Sequence, residues 1–499
     1  MDLIGNLGIG FGAVLTPENL LFCVMGVLLG TLIGVLPGIG PLVTIALLLP
    51  ATFSLPPLSA LIMLAGIYYG AQYGGSTTSI LMNLPGESSS VVTCIDGYQM
   101  ARQGRAGAAL SVAALGSFFA GCVGTVLIAL LAPALSLVAQ KFSAPEYFSL
   151  MTFGLIAAVV LAHGSVLKAI AMIFLGLLLG IVGTDVNTGQ QRFTFGIPEL
   201  SDGIGFVPIG MGLFAIGEVI ANLHNPQQRT FVASKITGLM LSKKDLKESW
   251  KAVVRGTGVG SLLGILPGGG ALLASFASYS MEKKLSKTPE RFGKGAIEGV
   301  AGPESANNAA AQTSFIPLLT LGLPSNAVMA LMMGAMIIQG IEPGSAVMTK
   351  RPELFWGMVA SMWIGNAMLL VINLPLIGIW VRLLSVPYRL LYPAILLFCV
   401  IGVYSTNTNI AQLVITAIFA VFGYTLLKFG CEPAPLVLGF ILGPVMEENL
   451  RRSLVFSRGD AMIFIQRPIS AVLLGLTLAV VALIVVPQIR RKREEAFQE

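Results

Sequence analysis

Apolar runs of helical length cover most of the chain, and glycine-proline signals break several of them in mid-course. The first such run, Gly26 to Pro50, carries Gly26, Gly30 and Gly34 four residues apart. Glycines at that spacing share one helix face and let a neighbouring backbone come close. The run is then interrupted at Pro37-Gly38-Ile39-Gly40. Proline removes a donor and glycine permits positive φ, so a helix cannot pass straight through. A second run, Leu58 to Leu84, ends in the polar patch Ser76-Thr77-Thr78-Ser79 and breaks at Pro85-Gly86. Other runs, such as Ile170 to Val182 and Val472 to Val486, do not alternate apolar and polar residues as membrane-barrel strands would. At ~20 residues per span, the pattern predicts an all-α integral membrane protein of about ten to fourteen spans or half-spans.

The interrupted pattern occurs twice. A shift of 230 places Gly26, Gly30, Gly34, Leu36, Pro37, Gly38 and Gly40 on Gly256, Gly260, Gly264, Leu266, Pro267, Gly268 and Gly270. Asn83-Leu84-Pro85-Gly86 answers Gly322-Leu323-Pro324-Ser325 at 239, and Phe195, Gly196, Gly203, Pro208 and Gly212 answer Phe422, Gly423, Gly430, Pro435 and Gly439 at 227. The chain therefore reads as two homologous halves. Residues 1–225 form a first membrane repeat broken at 37–40 and 85–86, and residues 256–450 form a second broken at 267–270 and 324–325. A basic cytoplasmic connector, 226–255, joins them, and 451–499 holds a basic loop, a final helix and a cytoplasmic tail. Interrupted apolar segments in matching positions of two halves point to the binding site of a secondary transporter.

Charge refines the topology. With 55% hydrophobic and 11% charged residues the chain is far from a soluble composition, which is about 25% charged. The net charge of +6 resides in loop arginines and lysines and signals no nucleic-acid partner. No lysine or arginine precedes Arg102, which suggests an outward N-terminus. The segment 87–107, with Asp96, Arg102 and Arg105, reads as a cytoplasmic loop, and Gly183 to Gln191 as a polar turn. The basic stretches 224–255 and 281–294 both belong inside, so Gly256 to Ser280 is expected to be a re-entrant hairpin bent at Pro267. The lysine-free flanks of Gly26 to Pro50 fit entry from the opposite face, and the two halves then form an inverted repeat. Five scattered cysteines with no CxxC pair indicate neither a metal site nor a disulfide framework.

LPGIGP, YGGSTTSILMNLPGE, TDVNTGQQRFTFGIPELSDGI, FGKGAIEGVAGPESANNAAAQTSFIPLLTLGLPSNAVMALMMGA and PLVLGFILGPVMEENLRRSL together closely resemble the large, TctA-like membrane permease subunit of the tripartite tricarboxylate transporter family. The resemblance spans nearly the whole chain. It implies a multi-pass permease of the bacterial inner membrane that works with a small four-helix membrane subunit and a periplasmic solute-binding protein. It also implies import of citrate-like tricarboxylates or other organic anions, driven by a gradient of sodium or protons and not by ATP, with no cofactor. Gly302 stands where alanine is frequent in the family, and Leu323-Pro324-Ser325-Asn326 where a proline-glycine pair is more usual.

A carboxylate held inside a membrane needs donors that do not require a buried cation, and helix N-termini supply them through free N–H groups and the macrodipole. The breaks at Pro37, Gly38 and Gly40 and at Gly268 and Gly270, with Gly86 and Ser325, are therefore the expected core of the substrate site. Thr44 and Ser275 sit about one turn into the half-helices. A second polar set comprises Ser76, Thr77 and Asn83 in the first half and Asn307, Asn308, Gln312, Thr313 and Asn326 in the second. Any one of the glycines could as well serve close helix packing, and single hydroxyls often bond back to their own helix. For a coupling ion, half-helix C-ends offer the Val35, Leu36, Ile265 and Leu266 carbonyls, with Ser305 beside them. For protons, Glu304 and Glu218 are the carboxylates in apolar sequence, although Glu304 follows Pro303 and could instead cap its helix from the first turn. Arg451 and Arg452 are expected at headgroups.

A stand-alone sodium/dicarboxylate-type symporter would need no receptor. A membrane enzyme would need a nucleophile-base pair or metal ligands, and only His163 and His224 exist, with no HExxH or GxSxG. A channel would need a pore of carbonyl or charge rings.

Overall fold

In the computed structural model, residues 3–36, 40–161, 165–185, 188–224, 239–267, 270–383 and 388–485 are described. Before the connector run α1 (Leu3–Val14), α2 (Pro17–Val35), α3 (Pro41–Thr52), α4 (Pro57–Met82), α5 (Val91–Arg102), α6 (Ala106–Ala139), α7 (Ala144–Leu161), α8 (Val166–Gly180), a small hairpin of β1 (Gly183–Thr184) and β2 (Gln191–Arg192), α9 (Phe206–Gly210) and α10 (Gly217–His224). The connector's residues from Lys243 on are helical and form the first part of α11 (Lys243–Ile265), and after it come α12 (Gly270–Leu285), α13 (Glu298–Thr313), α14 (Phe315–Leu321), α15 (Ala327–Ile338), α16 (Ser345–Lys350), α17 (Pro352–Asn373), α18 (Ile377–Leu383), α19 (Tyr388–Asn407), α20 (Ile410–Lys428), α21 (Pro433–Phe456), α22 (Ile463–Gln466) and α23 (Pro468–Val485). The protein is all-α but for the one hairpin among the described residues. Helices α2, α6, α17 and α20 are each long and apolar enough to cross a bilayer.

Two helices form the centre. α4 is buried from Ser59 to Met82 and α13 from Gly299 to Thr313, so neither has a solvent or lipid face. α4 suits that position by being apolar nearly all round. α13 suits it by being small: GVAGPESANNAAA lets three neighbours approach, and Glu304 and Asn308 bond side chains of α4, α5 and α6.

The glycine stripes explain the closest contacts. A Cβ at Gly26, Gly30 or Gly34 of α2 would meet the backbone of Met63, Ile67 or Ala71 of α4 at under 3.0 Å, and one at Gly256, Gly260 or Gly264 of α11 would likewise meet Gly302, Ala306 or Ala310 of α13. The stripes are 230 apart and their partners 239 apart, so the two helix pairs share one register. Contacts across the connector are reciprocal as well. α6 lies on α13 while α17 lies on α4, and α3 meets α15 while α12 meets the 3-10 turn Ser88–Ser90. α8 packs on α21, with Gly176 against Leu436, while the π-helical turn Met211–Ile216 packs on α20, with Gly212 against Thr416 and Phe419.

The chain doubles back between α11 and α12. Arg255, twelve residues before Pro267, bonds Glu282, fifteen residues after it, with Nε–Oε1 at 2.7 Å. Several expectations are corrected. Residues 87–107 are not a loop but a 3-10 turn followed by α5, and Asp96 is buried because its partners come from far along the chain. Its Oδ1 accepts from the N–H of Gly293 (2.9 Å), Gly295 (2.7 Å) and Ala296 (2.8 Å), and its Oδ2 from the Tyr279 hydroxyl (2.9 Å). That carboxylate fixes the turn from which α13 starts, five residues before Pro303, so Glu304 lies inside the helix and not in its first turn. Arg451 is not a free headgroup anchor, because it pairs with Asp185 (3.0 Å) and Glu447 (2.8 Å). Arg192 of β2 joins the same acids, and its hydrogen bonds to Glu447 and Asp185 raise its pKa above the ordinary arginine value.

Candidate functional site

All four breaks reach one cavity of about 710 Å³. Its wall contains Gly40 to Leu42 at the start of α3, Pro85 to Ser89 at the second break, Gly270 to Leu272 at the start of α12 and Ser325 to Val328 at the start of α15. Pro433 to Pro435 bring a further helix start, that of α21. The local chemistry explains why these helices begin there. Gly40 is extended ahead of Pro41, Gly270 has φ of 57°, and extended Asn326 caps α15 by accepting from the Met329 N–H (3.0 Å). The helices that lead in stop by a shared device: Asn83 after α4 (φ 56°) and Gly322 after α14 (φ 69°) are both left-handed, and they are the 239-shifted pair of the sequence. Four α-helix N-termini thus open on one space, an arrangement that favours negative charge. Among the described residues the wall contains no lysine, arginine or histidine.

Side chains add polarity at chosen points. Tyr68 of α4 accepts from Asn326 Nδ2 (3.3 Å). The Ser89 hydroxyl lies between Gln72 Oε1 (2.7 Å) and the Glu87 carboxylate. Glu87 and Glu432 are acids of the wall. The sequence reading missed Tyr68, Gln72, Glu87 and Glu432. Glu87 follows the break directly in LPGE, and that was the available signal. Tyr68 and Gln72 sit among apolar residues of α4 that look like ordinary core.

The remaining expected residues are placed as follows. Gly40, Gly86, Gly270, Ser325 and Asn326 line the cavity, whereas Pro37, Gly38, Gly268 and the Glu218 side chain lie outside the described residues. Thr44 and Ser275 do not line it, since their hydroxyls bond back to the Gly40 (3.2 Å) and Ala271 (2.9 Å) carbonyls. Thr313 and Ser305 bond back likewise, to Ala309 (3.0 Å) and Ala301 (2.8 Å). Asn83 is an exposed helix end. The Val35 carbonyl already accepts from Thr78 Oγ1 (2.7 Å), Leu36 is buried beside it, and Ile265 and Leu266 end α11 with Leu266 exposed.

Ser76, Thr77, Glu304, Asn307, Asn308 and Gln312 gather instead in a separate buried seam where α4, α6 and α13 meet. Glu304 accepts from Ser76 (2.5 Å), from Thr93 of α5 and, at 3.3 Å, from Asn307 Nδ2. Asn308 Nδ2 donates to Ser117 of α6 (2.7 Å). The Gln312 amide, one turn further, has no partner at either end.

Helices broken in mid-course, with their N-termini gathered on one cavity of an apolar all-α bundle, define a multi-pass membrane protein of the solute-handling kind. More narrowly, the chain belongs to the tripartite tricarboxylate transporter TctA family, whose profile, described as "Tripartite tricarboxylate transporter TctA family", matches residues 20–438. It is 61% identical over 499 residues, 100% of this chain and 99% of the relative, to the "Uncharacterized 52.8 kDa protein in TAR-I ttuC' 3'region" of Agrobacterium vitis. It is 62% identical over 240 residues, 48% of this chain and 99% of the relative, to the "Uncharacterized protein in TAR-II ttuC' 3'region" of the same species. No solved structure matches it. The family makes the chain a component of a tripartite transporter.

Proposed function

We propose that this chain is the permease of an ion-driven importer of tricarboxylates or related organic anions in the bacterial inner membrane. It takes substrate from a periplasmic solute-binding protein and works beside a small four-helix membrane subunit. The observation that carries the reading is the convergence of four α-helix N-termini and all four Leu-Pro breaks on one cavity of about 710 Å³, within the ~300–1,000 Å³ range of small-molecule sites. Backbone N–H groups at Gly40, Gly270 and Asn326 then hold the carboxylates, with Tyr68 and Asn326 orienting them. Glu87 supports cation coupling: a carboxylate beside a bound organic anion repels it unless a proton or metal cation arrives too.

The two halves, 1–225 and 256–450, act as an inverted repeat around that cavity, joined by the connector 226–255 and followed by 451–499. The shared register of α2 on α4 and α11 on α13 supports the duplication, and the Arg255–Glu282 pair supports a re-entrant α11–α12 hairpin.

The test is uptake of labelled citrate and other carboxylates into proteoliposomes carrying this chain and its small subunit, with and without the solute-binding protein, under a sodium or a proton gradient. Receptor-dependent accumulation is the expected result. Accumulation without any receptor would replace the tripartite reading by a stand-alone symporter, and downhill flux that never accumulates would indicate a channel.

A further inference from the structure

A second, much smaller cavity lies apart from the one described above. It measures about 10 Å³, the room of a single water-sized particle. Its wall joins α4, α6 and α17, and its polar members are Tyr73, Ser76, Thr77, Ser117 and Asn373.

Each of these polar groups carries an oxygen able to accept or to bind a cation. Asn373 is 5% exposed and its Oδ1 has no partner. Its amide orientation is fixed, since Nδ2 donates to the Leu369 carbonyl at 2.9 Å and a flip would set oxygen on oxygen. Asn308, bonded to Ser117 in the wall, repeats the pattern: Nδ2 donates to the Glu304 carbonyl (3.0 Å) and Oδ1 is left without a partner. Ser76 Oγ is bonded to Glu304 Oε2 at 2.5 Å, and Glu304 is fully buried with no ion pair to any described lysine or arginine. A buried carboxylate without a countercharge is expensive. A small space edged on its polar side by hydroxyl and amide oxygens, next to that carboxylate, suits a small hard cation that takes oxygen ligands. Protonation of Glu304 is the other way to remove the charge, and the sodium titration below separates the two.

We propose that this cavity binds one sodium ion, held by Ser76, Thr77, Ser117 and Asn373, with Glu304 supplying the balancing charge through Ser76. The proposal rests on the permease reading only for its purpose, which is to bind the driving ion between residues of the first half and α17 of the second.

The test measures sodium binding alone. Purified full-length protein in nanodiscs is titrated with radioactive sodium at constant ionic strength, with choline and potassium as competitors, and its melting midpoint is followed in each salt. Saturable binding near one sodium per chain is expected, with a melting midpoint higher in sodium than in choline. Thr77→Val and Asn373→Leu should each raise the half-saturating sodium concentration at least tenfold. No saturable binding by the wild-type protein, or undiminished binding in both variants, would overturn the site. Carboxylate uptake that runs on a proton gradient in a protein that binds no sodium would sink this site and leave the permease standing, whereas sodium binding without uptake would do the reverse.

Discussion

Asp96 offers a test of how the two halves of the chain are held together. Its Oδ1 is the acceptor for three backbone N–H groups of the 293–296 turn, and two of these, on Gly295 and Ala296, are buried. In Asp96→Ala those two donors lose their partner, and a buried unsatisfied donor costs ~1–3 kcal/mol. The Gly293 N–H is nearer the surface and water can replace its bond. The loss is therefore about 4 kcal/mol. Asp96→Asn keeps an oxygen at the Oδ1 position but removes its charge, and a charge-assisted bond is roughly twice as strong as a neutral one. Three weakened bonds then come to about 2 kcal/mol. The chain carries buried thiols at Cys23 and Cys399, so a thiol-reactive dye reports unfolding directly during a temperature ramp in detergent. The midpoints should fall in the order wild type, Asn, Ala, with two comparable steps. If Ala matched wild type, or lay above Asn, Asp96 would not be what holds the start of α13.

Gly30→Val and Gly260→Val should be equally damaging, since each puts a side chain into a carbonyl of the facing helix, of Ile67 and Ala306. At least ~1–3 kcal/mol of overpacking cost should appear as loss of monodisperse protein on gel filtration for both. Arg255→Ala strands the buried Glu282 carboxylate and should lower stability by about 2 kcal/mol, discounted because Arg255 is partly exposed. The double variant Arg255→Met with Glu282→Leu should recover most of that in the same melting assay. Asn326→Ala removes the α15 cap, worth about 1 kcal/mol, and the bond to Tyr68. Asn326→Ser should restore the cap but not the bond, so stability returning without carboxylate uptake would assign the amide to the substrate.

Much of the arrangement was written locally. Asn83 and Gly322 end their helices in the left-handed conformation, and Gly40, Gly270 and Asn326 open the next ones, because those residue types tolerate such backbone or cap a helix at little cost. The glycine stripes, read at four-residue spacing, predicted close packing and found it. Three kinds of residue escaped that reading. Asp96 looked like a loop acid because its partners lie about 200 positions away. Arg451 looked like a headgroup anchor because Asp185 is 266 residues distant. Asn307 and Asn308 looked like substrate ligands because helical periodicity puts neighbours on a face without saying which face meets the cavity.

The sequence by itself therefore determined the all-α membrane class, the doubled pattern and where the helices break, since periodicity, glycine spacing and proline act within a few residues of themselves. Only the tertiary structure decided that the four breaks share one cavity and that Glu304 and the asparagines belong to a separate seam. Which buried polar group meets which depends on helix pairings hundreds of residues apart, fixed by the packing of small residues across the two halves and invisible to any local rule.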